Sequence, residues 1–167
     1  MIVLGFDPGR ENFAWAVWDS TDQRVVDFGW IRGHAINEPD LWFIDTILEV
    51  LDKYRPGMIG IERFAYRKEA SVESEPINVM IGKLDLLCRM RGYRPIHIMP
   101  AHWKVRLKVK DLPKSSRSLF PEIPLKSWVV HQADAAGIAK YVVERKETEE
   151  AKEEAKEERK RKKKVKP

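Results

Sequence analysis

The chain has 167 residues, 43% of them hydrophobic, which is enough for one domain whose core needs neither a disulfide nor a structural metal. A lone cysteine, Cys88, excludes an intramolecular disulfide and a multi-cysteine zinc site, and no apolar run nears the roughly 18 residues of a membrane span. The net charge of +5 is unevenly spread, with 12 basic and 15 acidic side chains in residues 1–100 but seven basic and two acidic in 101–127. The second segment, with Lys104, Arg106, Lys108, Lys110, Lys114, Arg117 and Lys126, is where a polyanion would be met, unless it is only a solvated basic loop.

Met1–Phe6 is too short for a signal-peptide core and is followed by Asp7, so a reducing, cytosolic or nucleoid-associated location without membrane contact is expected. Ile2–Phe6 is a β-rich apolar run closed by the turn signal Asp7-Pro8-Gly9, and strand-like runs follow at Phe13–Trp18 and Arg24–Ile31. Their short connections suggest an antiparallel meander. Asp40 opens a helical pattern through Leu41, Ile44, Ile47, Leu48 and Leu51 that stops at Pro56-Gly57.

Met58–Ile61 reads as a fourth strand ending at Glu62, with a polar stretch after it through Glu75. A helix from Pro76 carries a wide apolar stripe of Ile77, Met80, Ile81, Leu84, Leu87 and Cys88, ending at Gly92. Arg94–Met99 is strand-like, Pro100 starts a short helix with Trp103, Lys104 and Leu107, and 108–127 is irregular. Val129 begins a last helix rich in small residues through Val143, suited to close packing on a sheet. Residues 144–167 are then almost wholly Glu, Lys, Arg and Ala, with Glu and Lys at helical spacing: a charged tail, helical or disordered, following a domain at 1–143. Its basic end, Arg159–Lys164, suits either phosphate binding or plain solubility.

Three strands, then helix, strand, helix, strand and helix, is the element order of an RNase H-like fold, a five-stranded mixed sheet flanked by helices. In that fold the first and fourth strands are neighbours at the sheet centre, so Asp7 and Glu62 would share one rim. His131 and Asp134, three apart on the last helix, share one helix face. Each alone has an ordinary reading as a turn, surface or cap residue, but Asp134 in an apolar stretch is costly unless partnered. Together the four suit Mg²⁺ or Mn²⁺, because crowded carboxylates repel one another until cations neutralise them.

Gly5-Phe6-Asp7-Pro8-Gly9, Gly60-Ile61-Glu62-Arg63-Phe64 and His131-Gln132-Ala133-Asp134-Ala135-Ala136-Gly137-Ile138-Ala139 resemble, in order and spacing, the motifs of the RuvC-type Holliday junction resolvases. His131 stands where other members have aspartate, which removes one negative charge. The resemblance covers residues 1–143 and implies a DNA recombination and repair endonuclease that cuts four-way junctions with two metal ions, leaving 5′-phosphate and 3′-hydroxyl ends. Asp7, Glu62, His131 and Asp134 would hold the ions. Lys104, Arg106, Lys108, Lys110, Lys114 and Arg117 would meet the DNA backbone, and Phe64 or Tyr66 would wedge into the branch point, with a core role for Phe64 as the alternative. It also implies a homodimer, for which the Ile77–Cys88 helix is the natural interface. A nuclease for RNA or RNA–DNA hybrids, an actin-like nucleotide binder and a non-catalytic DNA-binding protein are the rival readings.

Overall fold

The computed structural model describes residues 1–9, 12–32, 41–63, 71–112, 115–124 and 130–164. The five expected strands are β1 (Ile2–Pro8), β2 (Asn12–Asp19), β3 (Arg24–Arg32), β4 (Met58–Glu62) and β5 (Ile96–Ile98). They form one sheet in the order β3-β2-β1-β4-β5, with β1–β2 and β2–β3 antiparallel and β1–β4 and β4–β5 parallel. β1 is central, and its residues are buried from Val3 to Asp7 because helices cover both faces.

The helices are α1 (Leu41–Tyr54), α2 (Ser71–Met90), α3 (Pro100–Arg106) and α4 (Val130–Lys164), with two 3₁₀ turns at Val109–Asp111 and Ser115–Leu119. Asp40 lies outside the described residues. α2 starts at Ser71 rather than Pro76; the proline sits in the second turn, giving up its own backbone donor without ending the helix. β5 is shorter than Arg94–Met99, as suits a strand at the sheet edge. No break divides α4 at Val143: burial ends there, but the helix runs on to Lys164, with Arg145–Glu149 and Lys146–Glu150 ion pairs one turn apart. Among the described residues no helix is long and apolar enough to cross a membrane.

Alternation along the strands sorts the core into two layers. Leu4, Phe6, Ile59 and Ile61 face α1 and α2, packing with Phe43, Ile47, Leu51, Met80, Leu84 and Cys88. The apolar stripe of α2 is therefore taken up by the chain's own core. Residues one step out of phase, Gly5 and Gly60, face α4 and are register partners across β1 and β4. A Cβ on Gly5 would stand 2.0 Å from the Ala135 carbonyl oxygen, and one on Gly60 would stand 2.8 Å from Ile138 and Val142 side-chain carbons. The two glycines form a trough in which α4 lies, and Ala133, Ala135, Ala136 and Ala139 keep the helix slim there.

This contact is checked by Gly5→Ala. The added carbon meets helix backbone, which cannot rotate aside, so we expect a loss of about 1–3 kcal/mol or more in urea denaturation. A variant as stable as the wild type would show that α4 is not held so close.

Candidate active site

The trough sets the site. His131, Asp134, Ala135, Ile138, Ala139 and Val142 form one stripe of α4 at helical spacing, and its later members meet Gly5 and Gly60. Asp7 and Glu62 lie two residues further along the same strands, on the same face and about 6.6 Å onward. One turn back along α4, about 6 Å, brings His131 and Asp134 over them. The two sequence pairs thus converge at the carboxyl ends of β1 and β4.

His131 Nδ1 lies 2.8 Å from Asp7 Oδ2, so the imidazole donates to the carboxylate. Asp134 accepts from Lys104 Nζ at 2.9 Å and from the hydroxyl of Ser116, which is wholly buried. Glu62 Oε2 accepts from Trp103 Nε1 at 2.6 Å. Asp7 and Asp134 are 8% and 7% exposed, so their charges act on each other through little water.

Burial, and then the Asp7 charge, pushes the Glu62 carboxyl up to about 7, with Asp134 adding to the rise and Trp103 and Lys104 opposing it. Burial also raises Asp7, against the pull of His131. His131 is raised in turn, first by its hydrogen bond to Asp7 and despite burial. Burial lowers the Lys104 ammonium, but Asp134, with Glu62 and Asp7 behind it, outweighs that and raises it overall. The rim therefore holds more negative charge than its own cations offset.

Among the described residues no three His, Cys, Asp or Glu side chains stand together as ready ligands for an ion, and each carboxylate of the rim is engaged by a protein donor. The donor chemistry nevertheless fits a hard divalent cation: three carboxylates and an imidazole, with Glu62 raised to about 7 by burial and by the Asp7 charge.

Of the basic residues expected on DNA, Lys104 is committed to Asp134, and Arg106 reaches Glu144 and Thr148 on α4. Arg117 is half-buried, its Nε out of solvent and unpartnered among the described residues, whereas Lys108 and Lys110 are exposed. Phe64, Tyr66 and Lys114 lie outside the described residues. Trp103 and Ser116 escaped the sequence reading, because their bonds to Glu62 and Asp134 span 41 and 18 residues and follow no periodicity.

Neither a protein family nor a curated protein matches this sequence. Among solved structures, T. thermophilus RuvC in complex with a Holliday junction substrate is similar, with a TM-score of 0.65 and 24% identity over 83% of this chain and 90% of that one. The fold is that of the RuvC-type resolvases. The fowlpox virus resolvase with its Holliday junction DNA matches at TM-score 0.55 and 12% identity, over 86% of this chain and 97% of that one. The yeast mitochondrial Holliday junction resolvase Ydc2 matches at TM-score 0.50 and 16% identity, over 82% and 76%. A RuvC-like fold thus holds all four residues, Asp7, Glu62, His131 and Asp134, at one end of its central strands.

Burial of the two carboxyls, with the His131–Asp7 hydrogen bond, sets a pH dependence for the protein in chelator. Glu62, Asp7 and His131 all bind protons more tightly folded than unfolded, so stability falls as pH rises. The Glu62 contribution is lost between its ordinary 4.5 and about 7. The His131 contribution is full below 6.5 and is lost as pH rises through its higher folded value. The depressed carboxyls of Asp19, Asp27 and Asp85 act only on the acid side of 3.8, outside this window. We expect the Tm to drop by several degrees between pH 5.5 and 8, and Glu62→Gln to flatten much of that slope. A Tm that climbs over the same range would contradict the electrostatic account.

Proposed function

We propose that this chain is a structure-selective DNA endonuclease that resolves four-way junctions by divalent-cation-assisted phosphodiester hydrolysis, leaving 5′-phosphate and 3′-hydroxyl ends. The observation that carries this reading is the meeting of Asp7, Glu62, His131 and Asp134 on one rim of a RuvC-like fold. Two of the similar structures were determined with Holliday junction DNA, and the same class of substrate is inferred here.

Asp7, Glu62, Asp134 and His131 are the residues that would hold Mg²⁺ or Mn²⁺. A bound divalent cation supplies Lewis-acid charge for attack on the phosphodiester. The hydrogen bond from His131 Nδ1 to Asp7 fixes the ring in one orientation, and a cation would be held through Nε2 once that nitrogen gives up its proton. Lys104 counters part of the carboxylate charge from within the rim, and the exposed Lys108 and Lys110 beside it are the residues best placed to meet DNA phosphates.

A labelled four-way junction, a fork and a linear duplex, each with Mg²⁺, Mn²⁺ or chelator, test the reading. We expect cation-dependent cutting that favours the junction, and a loss of at least about 10²–10³-fold in Asp7→Asn. Cleavage in chelator, or undiminished cleavage by Asp7→Asn, would refute the site; equal cutting of all three substrates would refute the selectivity.

The proposal includes a homodimer through α2. On the side turned away from the core, Val79, Leu86 and Met90 are 52%, 58% and 73% exposed. At 3.6 residues per turn they fall within about 40° of one another, an apolar side interrupted between Val79 and Leu86 by the exposed Gly82 and Lys83. Because Leu86 is exposed, Leu86→Asp should leave the fold intact and shift sedimentation from dimer to monomer. A wild-type protein that sediments as a monomer at tens of micromolar would remove the dimer from the reading.

A further inference from the structure

Trp103 and Lys104 are consecutive residues of α3, yet each reaches a different carboxylate, Glu62 and Asp134. Lys104 lies 4.9 Å from the centre of the Trp103 ring, so cation and indole brace each other. Trp103 is fully buried, and its N–H has no water to turn to, so the bond to Glu62 is the one that satisfies it.

The indole is admitted by α4 itself. A Cβ on Gly137 would stand 2.5 Å from Cζ3 of Trp103 and 2.9 Å from Cε3. Glycine in a helix interior is unfavourable relative to alanine, and the notch it leaves here is filled by this ring. One stripe of α4 therefore carries His131 and Asp134, while the notch at Gly137 seats the group that reaches Glu62.

The donor is also of a particular kind. An Arg or Lys on Glu62 would both orient it and neutralise it, competing with any incoming cation. Indole is a neutral, donor-only group that fixes one carboxylate oxygen and leaves the charge in place. Oε1 of Glu62 has no donor among the described residues.

We propose that Trp103, seated in the Gly137 notch, is a positioning residue that presents Glu62 to a divalent cation. This rests on the nuclease reading above. The assignment gives Trp103 a role distinct from core packing: its N–H sets which way the glutamate faces, and its bulk sets where.

The test measures Mn²⁺ binding by calorimetry on the full chain, with no DNA present. Trp103→Phe keeps a ring in the notch and removes the N–H; it should stay folded by circular dichroism and bind Mn²⁺ about 10-fold or more weakly. Its junction KM should be unchanged, with kcat reduced and partly recovered at high Mn²⁺. Tryptophan emission should respond to Mg²⁺ in the wild type and lose that response in Trp103→Phe. Gly137→Ala, which keeps the indole but crowds it, should weaken Mn²⁺ binding in the same sense and serves where Trp103→Phe fails to fold. Wild-type Mn²⁺ affinity in either folded variant overturns the positioning role while leaving the nuclease reading standing. A wild-type protein that binds no Mn²⁺ and cuts no junction overturns both.

Discussion

The closeness of α4 to the centre of the sheet governs the rest of the structure. Two glycines that are register partners on adjacent parallel strands remove the side chains that would otherwise hold the helix off. An ordinary strand pair carrying valine or isoleucine at these places would put the helix axis farther out, and His131 would no longer reach Asp7. The same contact fixes longitudinal register. With Ala135 locked over Gly5, a turn of helix and two residues of strand span nearly equal lengths, so the polar residues at the ends of all three elements arrive together.

Bringing those groups together creates an electrostatic problem that the fold only partly solves. Among the described residues, three carboxylates and one imidazole share a rim with one lysine, Lys104, and two neutral donors, Trp103 and Ser116. Full neutralisation by protein cations would give a poorer cation site, since arginines paired to each carboxylate would have to be displaced. Burial is the main cause of the raised carboxyls of Asp7 and Glu62, and for Glu62 the Asp7 charge adds to it. Burying these carboxyls gives up stability locally, and carboxyls perturbed in this way are common at active sites.

How much of this was legible in the sequence depends on whether a contact follows a repeat. Asp7 and Glu62 end apolar runs, and His131 and Asp134 lie at i and i+3, so periodicity places each on its element, while their meeting was expected from the strand order of the RNase H-like fold and the resemblance to the RuvC-type resolvases. The five strands and the last helix were legible for the same reason. Pro76 misled the start of α2, since local propensity yields to a helix already anchored by a buried stripe. The basic run at 101–127 read as either a polyanion-facing surface or a solvated basic loop, since composition carries no direction: Lys104 turns in to Asp134, Arg106 pairs with Glu144 on α4 while staying exposed, and Lys108 and Lys110 stay outside. The exposed stripe of α2 was also hidden, because the buried stripe of the same helix dominates its pattern.

The continuity of α4 ties the charged tail to the site mechanically. A helix that carries His131 and Asp134 at one end and runs unbroken to Lys164 cannot shift along its axis without moving both side chains. Beyond Val143 the helix has no core to bind it, yet Arg106 of α3 holds Glu144 and Thr148. α3 thus grips α4 at two points: Lys104 on Asp134 near the start, and Arg106 just past the last buried turn. A short helix with two such grips resists rotation of α4 about its own axis, the motion that would turn Asp134 and His131 off the rim. The charged extension adds length and local ion pairs to a helix whose position is already set by the trough and by α3.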